Sequence, residues 1–239
     1  MVTTVDIVDI ALAFYLVVIL PAQQLWRGAR RKDAPRRTRT ERYLSSIRQI
    51  AILLAVLVLA CWRGGHTAAQ LGLGVPASGA ALWCLLIPLL ALPLLHLVGK
   101  RQEARLDAAR LAAQHEKIRS NENMPRTPAE MRVFAVLSIF IGAGWEVLYR
   151  GFLVLVLAPW LGTWGAVLVA GISYGCGHGY HGARQLAASM LMALILTAAY
   201  VLSGSLWWLI AIHVALPLMS AASYYKVLGP APPIVANNY

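Results

Sequence analysis

From Met131 to its last residue the chain carries a single acidic side chain, Glu146. It sits in GWEVLYRGFL with Arg150 four residues on, so on a helix the two share a face, with the carboxylate on the favourable N-terminal side. Both lie within a long apolar run. Ionisable groups so placed face a bundle interior or a wet cavity and mark function. The competing reading is a buried ion pair that only fixes helix register, but such pairs often add no net stability.

Three histidines share this half of the chain. His178 lies in SYGCGHGYHG with Tyr174 one helical turn before it, and Gly171, Gly175, Gly177 and Gly179 let neighbouring backbones approach closely. His181, three residues on, either shares a face with His178 or lies in a loop. His213, in LWWLIAIHVALPLMS, has apolar neighbours and needs a partner from another helix; Glu146 or a bound water is the natural one. Pro217 removes a donor from the carbonyl of His213, which predicts a kink there.

Glu146, Arg150, His178 and His213 fit two chemistries. In one, the carboxylate activates water as a general base while an imidazole donates to the oxyanion, with no cofactor. In the other, Glu146, His178 and His213 bind zinc and leave a fourth position to water. Either would hydrolyse a bond in or beside a membrane. No HExxH motif supports the zinc alternative.

The elements that must position these residues are set by composition. The chain has 239 residues, 59% hydrophobic and 13% charged, well above the apolar share of a soluble domain. Windows of roughly 18–20 apolar residues are long enough to cross a bilayer as helices. The reading is an all-α, polytopic transmembrane bundle of about seven spans, near residues 5–25, 44–62, 80–98, 129–157, 162–178, 183–203 and 205–226. Its catalytic-type cavity is expected in the last four helices. No internal repeat is visible, which counts against a small transporter.

The net charge of +11 is concentrated in two segments, Arg27 to Arg48 and Lys100 to Arg132, each flanking apolar spans. That pattern excludes a nucleic-acid partner in favour of membrane lipid, including anionic head groups. Basic loops stay on the cytoplasmic side, so the N-terminus is expected outside and the C-terminus inside, in a bacterial inner membrane; Arg63 is a mild exception. Asp6 and Asp9 in the first apolar stretch, and the missing basic leader, speak for a retained span over a cleaved signal. Cys61, Cys84 and Cys176 show no metal-type spacing and read as reduced, structural residues.

Four segments follow: membrane spans over 1–99, a linker over 100–124, a core over 125–226 and a Pro-rich tail over 227–239, expected to be disordered. The linker reads equally as an amphipathic interfacial helix or a solvated connector. Thr127, Pro128 and Glu130 form a helix-starting capping box.

The motifs in the core resemble those of the CPBP intramembrane proteases, which include the type II CAAX prenyl endopeptidase and bacteriocin-processing proteins. PRTPAEMRVFAVLSIFIGAGWEVLYRGFL is similar to the EExxxR motif and its approach. YGCGHGYHG resembles the FxxxH motif with Tyr174 for Phe, and LWWLIAIHVALPL the HxxxN motif. The resemblance covers roughly residues 125–225. It implies a peptidase acting on a hydrophobic or prenylated peptide, with a glutamate activating water and the histidines completing the site. The chain departs from the pattern twice. Trp145 stands where the first glutamate belongs, and Pro217 where the Asn or Asp belongs. A catalytically impaired member, acting as a membrane binding or scaffold protein, is the alternative.

Overall fold

A computed structural model describes residues 5–30, 37–76, 79–180 and 182–228. Among them every regular element is helical. The helices are α1 (Ile7–Ala29), α2 (Arg39–Gly64), α3 (Gly79–Glu103), α4 (Ala108–Arg119), α5 (Pro128–Gly177), α6 (Ala183–Ser203) and α7 (Trp207–Leu228). All but α4 are long and apolar enough to cross a membrane.

At 50 residues α5 is too long for one crossing: an unbroken helix of that length would span about 75 Å against a hydrocarbon core of about 30 Å. Gly162, at φ 69°, breaks it. A positive φ is accessible to glycine without the clash a Cβ would bring, and Pro159 just before it has no N–H to continue the ladder. The two arms fold back so that Tyr149 of the first stacks on Tyr174 of the second, centroids 4.8 Å apart. Counting each arm, the six long helices supply the seven spans read from the sequence.

Contacts between helix ends fix the up-and-down order. At one end, Arg63 in the last turn of α2 binds Asp6 before α1 through two 3.0 Å bonds, and the Leu206 N–H reaches the Gly72 carbonyl at 2.9 Å. The guanidinium of Arg63 holds the half-buried Asp6 carboxyl below the usual carboxylate range. Trp62, Trp83, Trp160, Trp164 and Trp207 gather at this end, all exposed, as in an interfacial aromatic belt. At the opposite, basic end, Arg42 donates to the Glu122 carbonyl and the Tyr43 hydroxyl to the Asn123 carbonyl at 2.8 Å. There the capping box forms as the sequence predicts: Thr127 Oγ1 accepts from Glu130 N, and Glu130 reaches back to Thr127 N.

The linker holds α4, capped by Asp107. None of its residues is fully buried, but Leu111, His115 and Ile118 are half-buried at helical spacing. The expected disorder of the 227–239 tail falls almost wholly outside the described residues. Pro217 stands inside α7 without ending it.

Lipid tails are as apolar as leucine, so a bundle in a bilayer is held by close packing and polar ties more than by burial of apolar surface. Leu12, Leu16 and Leu20 of α1, Leu53 and Leu57 of α2, and Leu148, Phe152, Leu153 and Tyr174 of α5 share one core. One tie is legible in backbone chemistry. In α1 the Leu20 N–H bonds back to the Tyr15 carbonyl across a π-helical turn, and the next residue, Pro21, has no N–H. The Leu16 carbonyl therefore lacks its usual donors, and the Tyr149 hydroxyl fills the place at 3.0 Å.

Candidate active site

Glu146 and Arg150 lie in a π-helical stretch, Glu146–Phe152, of the first α5 arm, preceded by another, Phe140–Gly144. Such widened turns cluster at functional sites. Glu146 is fully buried and Arg150 all but 1% so. The guanidinium donates through Nη1 to Glu146 Oε1. The spacing predicts this pair, and the structure forms it.

The partner that His213 needs is Glu146: Nδ1 lies 2.6 Å from the same Oε1. This contact crosses from α7 to α5, and Gly142 makes room for it. A Cβ there would meet the backbone N of Val214 at 2.6 Å. An ionised carboxylate can only accept, so Nδ1 carries the hydrogen-bonding proton, and whenever the ring is neutral Nε2 is the bare nitrogen. The His213 side chain keeps 26% of its surface exposed.

Tyr174 is the hub. Its ring, buried on the second α5 arm, stacks on Tyr149 and carries the Arg150 guanidinium 4.7 Å above its centroid. A desolvated cation over an aromatic face contributes on the order of 2 kcal/mol. The His178 and His213 rings stand 5.0 and 6.2 Å from it, and its hydroxyl lies 3.4 Å from His213 Nδ1. His178 is exposed at the end of the arm. Its Nδ1 donates to the Tyr174 carbonyl at 2.9 Å.

Trp145 is half-buried beside the site, its ring 5.9 Å from Tyr149. His181 lies outside the described residues. Tyr149 and Gly142, neither singled out from sequence alone, complete the arrangement. The signal for Tyr149 lay in the motif itself, three residues after Glu146; that for Gly142 lay in the small residues of FIGAG. A cavity of about 420 Å³ lies elsewhere, toward the tryptophan-bearing end, where Val154, Ala158 and Thr163 of α5 face Tyr200 and Gly204. None of the candidate residues lines it.

Among the described residues no three His, Cys, Asp or Glu side chains are grouped as ligands of a metal ion. Glu146 Oε1 is engaged by both Arg150 and His213.

Fold and site together define a polytopic helical membrane protein with a carboxylate, a guanidinium and an imidazole joined inside the bundle. Residues 127–219 match the family model described as Type II CAAX prenyl endopeptidase Rce1-like, and this segment carries all three motifs. Comparisons with curated proteins and with solved structures return no match.

Proposed function

We propose that the protein is an intramembrane endopeptidase that hydrolyses a peptide bond of a hydrophobic or prenylated substrate at the membrane, using Glu146, Arg150, His178 and His213. The observation that carries this is the Glu146–His213 hydrogen bond, which joins the first and third motifs across 67 residues. Arg150 keeps the carboxylate ionised by direct contact. The His178 ring, when protonated, offers Nε2 as a donor to the tetrahedral oxyanion. The loops rich in arginine lie on the cytoplasmic side in this reading, with the N-terminus outside, in a bacterial inner membrane.

The test is cleavage of a library of farnesylated and unmodified lipophilic peptides by the purified protein in detergent, beside Glu146→Gln. Cleavage by the parent and a loss of roughly 10²–10⁴-fold in the variant is the expected outcome; equal cleavage by both, or by neither, contradicts it. A second reading, a non-catalytic binding protein on the same fold, is favoured by one observation: the indole of Trp145 packs where the resemblance calls for a carboxylate. That reading predicts no cleavage and capture of a membrane partner that survives Glu146→Gln.

A further inference from the structure

We infer that His213, and not Glu146, is the general base of this site, with Glu146 as the carboxylate that orients and charges it; the inference rests on the peptidase reading above. The motif assigns water activation to a glutamate, but Glu146 is sealed. None of its surface is exposed. Oε1 is engaged by both Arg150 and His213, and Oε2 is buried without a hydrogen-bond partner among the described residues. A water that is to attack a substrate carbonyl needs a base it can reach, and this carboxylate presents no open oxygen.

His213 presents the opposite arrangement. Nδ1 is turned inward to the ionised carboxylate, while the side chain keeps 26% exposure. Nε2, on the far side of the ring, makes no hydrogen bond among the described residues and is not among the sealed orphan atoms. A carboxylate on Nδ1–H fixes the tautomer and stabilises the imidazolium that forms when Nε2 takes a proton, the logic of the carboxylate–imidazole pairs of hydrolases. His178 is the rival imidazole. Its Nδ1 meets only a neutral backbone carbonyl, which gives no such stabilisation. Trp145 leaves the chain with no second carboxylate here, so His213 is the group that combines a bare nitrogen, an ionised partner and access.

The step balances without a cofactor. The water oxygen attacks the carbonyl carbon, its proton passes to His213 Nε2, and the carbonyl electron pair moves to oxygen. On collapse the C–N bond breaks and the Nε2 proton goes to the leaving amine, returning a neutral ring, a carboxylic acid and an amine. The charged and polar groups facing the ring are Glu146 and Arg150 of the first α5 arm, and the Tyr174 hydroxyl and His178 of the second.

The experiment is the pH dependence of kcat/KM for a farnesylated peptide in vesicles of neutral phospholipid, with the full chain and with His213→Gln, His178→Gln and Glu146→Asp. The parent is expected to gain activity along an imidazole limb as pH rises and the base loses its proton. His213→Gln should lower kcat by roughly 10²–10⁴-fold with KM little changed. His178→Gln and Glu146→Asp should keep the imidazole limb at reduced rates. A parent profile that is flat above about pH 5, as a carboxylate base would give, overturns the inference and leaves the peptidase reading standing. So does a His213→Gln variant within about tenfold of the parent rate. No cleavage by the parent overturns both.

Discussion

Arg150 is the residue on which the others depend. It lies against Glu146 and over Tyr174 at once, and is almost wholly buried. Its removal strands a buried carboxylate. We therefore expect Arg150→Ala to cost about 3–5 kcal/mol, since an uncompensated buried charge is among the more destabilising single changes. Thermal unfolding in detergent reads this as a large fall in midpoint. Arg150→Met, read beside it, separates lost charge from lost volume: a similar fall in both assigns the cost to the unpaired carboxylate. A fall confined to the alanine variant would mean the guanidinium serves mainly as packing over the Tyr174 ring. At this scale the sequence was informative where polar residues stand in apolar surroundings. Glu146, Arg150 and His213 could be picked out because burial makes each of them need a partner. Tyr174 was visible only as a stand-in for a motif phenylalanine. Its place at the centre follows from the α5 arms folding against each other, which residue types alone do not encode.

At the scale of elements, the site is a meeting of the α5 hairpin with α7, and Gly142 sets their distance. A Cβ there would lie 2.5 Å from Val214 Cγ2 and 2.6 Å from its backbone N. Gly142→Ala should push α7 outward and lengthen the Glu146–His213 contact. Overpacking of this kind costs about 1–3 kcal/mol, and the account expects a larger loss in kcat than in KM. An unchanged kcat in a destabilised variant would mean that α7 need not touch α5 for turnover. The spans themselves were legible, because roughly twenty apolar residues between charged loops leave a chain few other choices. The capping box at Thr127 was legible for the same kind of local reason. The π-helical turns were not. They arise where a donor skips a residue, as Leu20 does in reaching Tyr15, and the freed Leu16 carbonyl is satisfied by Tyr149, 133 positions away. A bond over that separation has no trace in local spacing.

For the whole molecule, five of the six exposed tryptophans stand away from the arginine-rich loops, Trp26 beside Arg30 being the sixth, and the bundle has two unlike ends. With the basic end cytoplasmic, a cysteine introduced at the exposed Val75, in a chain whose own cysteines are replaced by serine, should react with an impermeant maleimide in intact cells. One at Ala109 in α4 should react only after permeabilisation. The reverse labelling would invert the proposed orientation. The α5 and α7 helices that carry the site pack in a core that α1 and α2 share, so catalysis is expected of the complete bundle. The most direct measurement of the central claim is a double-mutant cycle on kcat/KM for a farnesylated peptide, using the parent, Glu146→Gln, His213→Gln and the double variant in vesicles. Groups that act as one unit lose their effect together. Each single change is expected to cost roughly 10²–10⁴-fold, with the double variant no slower than the slower single one. Losses that multiply would show two independent residues and contradict it.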